Sequence, residues 1–244
     1  MEFREAMGVL FKGYLYMLIY VLGAGLAMLA IIYAALAAAV WASAWGKGFN
    51  VWGYLAAIVA VVVLYVVGVL VIFFRYHFRG FRALHRLGFK AAWLLAWGPV
   101  LSLVLMAALF GVAVFSAPAV LLRGDILGAL AAGVAVLTLL AAAFAVGFAV
   151  LVARLALLRG LYRYTGLSLF NIAFVLALVG LVFYAAYYLY ILTYSRPYGF
   201  AAPGPAVGLA ALGGIVSIAA YIVEMIAYKE GSEWTPKAQP TAPA

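Results

Sequence analysis

Long apolar runs constrain this chain more than any other feature of its sequence. Six such runs alternate with short segments that hold nearly all of the charged residues. Hydrophobic residues make up 71% of the 244 residues and charged residues 9%, whereas a soluble domain carries roughly 25% charged residues. Because about 20 apolar residues cross the hydrocarbon core of a bilayer as one helix, the runs predict membrane spans. The composition excludes an ordinary soluble fold.

The predicted fold class is all-α, a polytopic membrane protein built as a bundle of six transmembrane helices. A cytoplasmic N-terminal segment over 1–13 precedes the transmembrane domain at 14–228, and a flexible cytoplasmic tail over 229–244 follows it. The first run exceeds the roughly 7–15-residue core of a signal peptide, so we expect an uncleaved span there. The predicted spans are about 14–40, 51–74, 91–116, 127–153, 169–194 and 206–228.

The basic residues predict the orientation of the chain. With six spans, the two termini share a side with the second and fourth loops, and these four segments hold twelve Lys and Arg residues. The other three loops hold only Lys47, Arg123 and Arg196. Because Lys and Arg are enriched in cytoplasmic loops, both termini are predicted to be cytoplasmic, and the protein is expected in the cell membrane as a multi-pass protein.

The segment from Arg75 to Lys90 is the densest concentration of positive charge, and we predict a loop at the membrane surface. Four arginines in it follow one another at spacings of 4, 3 and 4, which would align them on one face of a helix. Arginine donates paired hydrogen bonds to phosphate, but such charges can also serve only to fix orientation. The candidate contacts for anionic lipid headgroups or an acidic partner are Arg75, Arg79, Arg82, Arg86 and Lys90, with Arg159 and Arg163 in the second basic turn.

Four residues are candidates for polar function inside the membrane. Glu224 is the one carboxylate expected within a span, where a charge marks ion or proton handling unless it reaches the surface or pairs with a loop arginine. Asn171 is expected to bond between helices. Tyr184 and Tyr187 lie deep enough to need hydroxyl partners or to line a lipid or quinone pocket, and an aromatic belt is the alternative.

Catalytic and metal-binding patterns are missing from the sequence. The absence of cysteine excludes thiolate zinc sites, iron–sulfur clusters and cysteine nucleophiles. His77 and His85 are interpreted as satisfied interface histidines rather than as haem or metal ligands. We therefore expect no enzyme activity, catalytic residue, metal or cofactor. Nucleic acid is not an expected partner, because the positive charges lie in short loops between spans.

Small residues four apart recur within the spans and permit close helix approach, either inside the chain or between chains. The near absence of Asn and Gln fits a thermophile, although membrane composition alone lowers these counts. The pairs are Gly23 with Ala27, Ala129 with Gly133, Ala143 with Gly147, and Ala210 with Gly214.

Three stretches resemble an archaeal family of multi-span membrane proteins catalogued as domain of unknown function 996. They are FRALHRLGFKAAWLLAWGPVLSLV at the third span, TGLSLFNIAFVLALVGLVF from Thr165 to Phe183, and GGIVSIAAYIVEMIAY at the last span. The chain departs from the family pattern in its long first span and its proline-rich fifth loop. The resemblance implies an archaeal membrane protein and brings no established activity or catalytic residues.

The function predicted from the sequence is that of a non-catalytic accessory or scaffolding subunit of a membrane complex. Its expected partners are membrane lipids with anionic headgroups and either another membrane protein or further copies of this chain. The alternative is a small permease or channel for an uncharged or weakly charged solute, which requires a continuous polar path through the bundle.

Overall fold

The computed structural model describes residues 1–44, 51–123, 126–194 and 203–235, and every regular element in these ranges is helical. Six helical stretches are long and apolar enough to cross a membrane, which confirms the predicted fold class. The elements are α1 (Phe3–Ala44), α2 (Val51–Ile72), a π-helical segment (Phe73–His77), α3 (Phe78–Arg86), α4 (Ala91–Arg123), α5 (Ile126–Thr165), α6 (Ser168–Tyr194) and α7 (Pro203–Glu233).

The long helices pack as three hairpins, formed by α1 with α2, α4 with α5, and α6 with α7. Contacts of α1 with α7, of α5 with α6, and of α3 with both α1 and α4 join the hairpins. One end of the bundle holds the first residues of α1 and the last residues of α3, α5 and α7. We call it the basic end. The chain enters α4 and α6 at this same end, through short turns that follow α3 and α5.

Each hairpin contains a glycine at which the neighbouring helix comes close. A Cβ atom on Gly68 would lie 2.1 Å from the ring of Tyr20, and one on Gly98 would lie 2.1 Å from Val150. A Cβ atom on Gly180 would lie 2.9 Å from the hydroxyl of Ser217. Glycine therefore permits the close helix contacts within all three hairpins.

The buried core lies at the basic end. Farther along the helices, large apolar side chains face outward, as shown by Leu26 at 68% and Phe144 at 75% exposure. Such faces are suited to lipid or to another membrane protein. The core includes Met7, Leu10, Leu84, Leu157, Leu158, Leu161, Phe170 and Tyr228, all of them fully or almost fully buried.

Two glycines close the turns at the basic end. Gly88 has φ of 98° after α3, and Gly166 has φ of 73° after α5. This left-handed conformation strains other residues and is the usual way to end a helix. The amide of Gly166 donates to the carbonyl of Tyr162 at 2.8 Å, so the final turn of α5 is closed by a backbone hydrogen bond.

The prediction of a loop from Arg75 to Lys90 is wrong for most of that segment. The chain stays helical from α2 through the π segment to the end of α3 at Arg86, and only the last few residues form a turn. The inward face of α3 carries the buried Phe81 and Leu84, and this burial stabilises a helix where charge alone suggested a loop.

Other helices also extend beyond the predicted spans at the basic end. The predicted N-terminal segment belongs to α1 from Phe3 onward, and the predicted second basic turn belongs to α5, which ends at Thr165. The predicted tail is helical to Glu233. Lys47, Arg196 and the last part of the tail (236–244) lie outside the described residues.

Candidate functional site

A carboxylate at the basic end is buried and fully hydrogen-bonded. Glu224 on α7 is 1% exposed. Its Oε1 accepts hydrogen bonds from the hydroxyls of Tyr14 at 2.6 Å and Tyr228 at 3.1 Å. Its Oε2 accepts from Nε of Arg154 at 2.8 Å and also from Nη2 of the same guanidinium. We call these four residues the Glu224 cluster.

The helices bring the members of the cluster together from distant parts of the chain. Tyr14 lies on α1 and Arg154 on α5, whereas Tyr228 follows Glu224 by one turn of α7. Tyr221, on the preceding turn of α7, donates its hydroxyl to the backbone carbonyl of Tyr14 at 2.8 Å. The aromatic rings of Tyr14 and Tyr221 also pack with centroids 4.7 Å apart. The cluster therefore joins one helix of each hairpin.

The charges of Glu224 and Arg154 compensate each other. Moving an isolated carboxylate out of water is costly, and the cost is offset only by a close counter-ion and further hydrogen bonds. The side chain of Arg154 is 27% exposed, so the pair is open to its surroundings on the arginine side alone. The cluster is an internally neutral contact between helices.

The geometry leaves no acceptor site on the carboxylate for a ligand. An ionised carboxylate has about four lone-pair sites, and Glu224 accepts four hydrogen bonds. The sequence left two roles open for Glu224, which are pairing with an arginine and handling of ions or protons. The arrangement favours pairing with an arginine. The paired arginine comes from within helix α5 rather than from a loop.

His77 is buried beside the cluster. Its ring lies 4.9 Å from that of Tyr14, and its Nδ1 has no hydrogen-bond partner among the described residues. The same holds for the Nδ1 atom of His85, so among the described residues neither histidine has the expected partner at Nδ1. Within the described ranges, no group of three or more His, Asp or Glu residues is placed to hold a metal ion.

The candidate basic contacts all lie on the surface of the basic end. The exposed residues are Arg75, Arg79, Arg82, Arg86, Lys90, Arg159 and Arg163. Arg159 on α5 donates to Oδ1 of Asn171 on α6 at 3.0 Å, so Asn171 does bond between helices. The guanidinium of Arg159 also lies 5.8 Å from the ring centroid of Phe174.

The two candidate tyrosines of α6 stand apart from the Glu224 cluster. Tyr184 is 38% exposed and its ring packs near Gly213 of α7. Tyr187 packs on its neighbour Tyr188, with ring centroids 5.2 Å apart. In the described part of the chain, neither hydroxyl makes the inter-helix hydrogen bond that was predicted.

Sequence reasoning identified Glu224 but missed the residues that surround it. Tyr221 and Tyr228 precede and follow Glu224 by about one turn, a pattern that marks one polar face of α7. Arg154 directly follows an apolar run and therefore has the pattern of a loop residue. Nothing in the sequence around Tyr14 distinguishes it from the other tyrosines of the first run.

Comparison of this chain with protein-family models, with curated proteins and with solved structures finds no match. The family resemblance based on the three apolar stretches therefore stays a prediction.

Proposed function

We propose that this multi-span integral membrane protein is a non-catalytic accessory or scaffolding subunit of a complex in the cell membrane. In this proposal, its hairpins pack against another membrane protein or a second copy of the chain. The observation that carries this proposal is a set of helix faces that contain small residues. No other described helix of the chain packs against these faces.

The glycines of the four small-residue pairs are unused inside the chain. A Cβ atom on any of them would meet no described atom within 4 Å, in contrast to Gly68, Gly98 and Gly180 inside the hairpins. In lipid, helices associate through close packing at small residues, since lipid tails are as apolar as the side chains. The open glycines are Gly23 on α1, Gly133 and Gly147 on α5, and Gly214 on α7.

The Glu224 cluster supports a structural role over transport. Its carboxylate is saturated by side chains of the protein, and its position at the basic end does not extend a polar path along the helices. A permease requires polar groups through the remaining depth of the membrane. Saturable uptake of a solute by liposomes that contain only this protein would overturn the scaffold proposal in favour of the permease.

The direct test changes the open face of α5. We expect the Gly133→Leu/Gly147→Leu double variant to lose a stoichiometric partner, or self-association, after purification from native membranes. Thermal stability of the isolated chain should not fall, because a Cβ atom at either position meets no described atom and leucine is a better helix former than glycine. Chemical crosslinking followed by mass spectrometry measures the partner.

A matched control uses the opposite side of the same helix. Ala131 and Ala145 each precede one of the two glycines by two positions and are exposed, so Ala131→Leu/Ala145→Leu adds similar bulk elsewhere. This control should keep the partner. A wild-type chain that is isolated as a monomer without a partner, or equal loss in both double variants, would contradict the proposal.

A further inference from the structure

An apolar groove opens between α4 and α5 beside the exposed arginines of α3. Its lining residues are all apolar. They include Trp93, Trp97, Gly98, Leu101 and Val104 of α4, with Val146 of α5 on the opposite side. We call this feature the α4–α5 groove. It lies on the outer surface of the hairpin, where Trp93 is 49% and Val104 is 58% exposed.

The length of the groove corresponds to one leaflet of a bilayer. At 1.5 Å per residue, the helix rises by about 16 Å from Trp93 to Val104, and half of a hydrocarbon core is about 15 Å. Tryptophan is enriched where the hydrocarbon meets the headgroups. Trp93 and Trp97 therefore mark a headgroup-level mouth at the basic end, with the groove running from there toward the membrane centre.

The register between α3 and α4 places positive charge at this mouth. The ring of Phe78 on α3 packs edge-on against that of Trp97 on α4, with centroids 5.0 Å apart. The chain reverses in the turn between these helices, so Arg82, one turn after Phe78, lies level with Trp93, one turn before Trp97. Arg86 continues the same face of α3 by a further turn.

The arginines of α3 are not neutralised by the protein. Arg79, Arg82 and Arg86 are exposed, and none has an acidic partner within the ranges that the structure describes. The opposite face of α3 is held in place by the buried Phe81 and Leu84. The helix therefore presents fixed guanidinium groups of the kind that bind phosphate with paired hydrogen bonds.

We propose that the α4–α5 groove and the exposed arginines of α3 form a binding site for an anionic phospholipid. The phosphate lies against Arg82, with Arg79 and Arg86 beside it, and one acyl chain lies along the groove. The occupant comes from the leaflet at the basic end, because the mouth of the groove lies at that headgroup level. The site goes beyond the proposed scaffold role and does not depend on it.

The test compares two lipids that differ only in the headgroup. The full-length protein is incubated in detergent with equal amounts of phosphatidylglycerol and phosphatidylcholine of identical acyl chains, and retained lipid is counted by native mass spectrometry. We expect wild type to retain phosphatidylglycerol preferentially. In Arg79→Gln/Arg82→Gln/Arg86→Gln, the ratio of retained phosphatidylglycerol to retained phosphatidylcholine should fall toward one. The expected decrease is about fivefold for each arginine that contributes.

A charge-matched control separates the site from the general positive charge of this end. Arg4→Gln/Lys12→Gln/Lys229→Gln removes the same charge from three exposed residues outside the groove, and it should keep most of the preference. The groove is tested separately by Val146→Phe and Ala149→Phe, which fill it while leaving the arginines intact. Either filled variant that elutes like wild type should lose the retained phosphatidylglycerol.

Three results would overturn the site. They are equal retention of both lipids by wild type, equal loss of preference in the two triple variants, and wild-type retention of phosphatidylglycerol by a filled variant. Capture of an acidic protein by wild type, without any lipid preference, would assign the arginines to a protein partner and would also overturn it.

Discussion

At the scale of single residues, Glu224 couples the three hairpins. It is the one buried carboxylate among the described residues, and its hydrogen-bond donors come from α1, α5 and α7. A buried charge is tolerated only while its partners are in place. Displacement of α1 or α5 would therefore leave a buried charge without its partners, which is energetically costly. The packing of these helices is therefore cooperative.

The Glu224→Gln variant tests this coupling. The amide keeps the shape of the side chain but removes its charge, which leaves Arg154 without a counter-ion. Breaking a buried pair from one side costs about 3–5 kcal/mol, and the partial exposure of Arg154 favours the low end, about 3 kcal/mol. We expect a clear loss of thermal stability in detergent, measured by the temperature at which the helical circular dichroism signal is lost.

A double variant serves as the control for the charge. In Glu224→Met/Arg154→Met, the uncompensated arginine is gone, so stability should recover in part compared with Glu224→Gln. The recovery is incomplete because the hydroxyls of Tyr14 and Tyr228 still lack their acceptor. If Glu224→Gln unfolds at the wild-type temperature, the pair does not hold the helices together.

The sequence shows which residue is exceptional here but not what it contacts. A carboxylate inside an apolar run is visible from composition alone, whereas its partners depend on which helices are neighbours. Tyr14 and Glu224 are separated by nearly the whole chain and meet because α1 packs against α7. Single-sequence patterns do not contain that pairing.

At the scale of elements, the π-helical segment between α2 and α3 sets how α1 packs. It holds His77 against Gly13, where a Cβ atom would lie 3.0 Å from Nδ1 of the histidine and 2.8 Å from Cβ of Tyr76. A π-helical turn inserts extra backbone into a helix and changes the face that the following residues present. The contact therefore requires both the π turn and a glycine at position 13.

We expect Gly13→Ala to destabilise the protein by about 1–3 kcal/mol, because the added methyl group forces α1 away from the π segment. Gly23→Ala on the same helix is the matched comparison, since its Cβ atom meets no described atom. There the better helix propensity of alanine should stabilise by up to about 1 kcal/mol. Thermal unfolding should show a lower midpoint temperature for Gly13→Ala and a higher one for Gly23→Ala. Equal changes in the midpoint of both variants would contradict the proposed contact.

The existence and number of the long helices could be predicted from the apolar runs, but their ends at the basic end could not. The arginines of α3 and α5 are typical of loops in a membrane protein, yet both segments stay helical because their other faces are buried. Ala83, Leu84, Leu157 and Leu158 supply that burial. The turns after α3 and α5 contain Gly88 and Gly166, both with a positive φ, as is usual where a helix ends.

At the scale of the whole molecule, packing and charge divide along the bundle. The basic end has a buried core and a closed set of polar contacts, whereas the rest of each hairpin presents apolar faces and open glycines. In lipid, such faces need no covering by the same chain. The fold therefore resembles a packed base from which three hairpins extend through the membrane.

This arrangement makes the orientation of the chain testable, because the positive-inside rule predicts that the basic end lies in the cytoplasm. The chain has no cysteine, so single introduced cysteines report sidedness against no background. We expect a membrane-impermeant maleimide to label Lys47→Cys, which lies between α1 and α2 in the sequence, on intact cells. Glu230→Cys, exposed near the end of α7, should be labelled only after the membrane is opened. A permeant maleimide that labels both variants serves as the control, and labelling of Glu230→Cys on intact cells would reverse the orientation and move the lipid site to the outer leaflet.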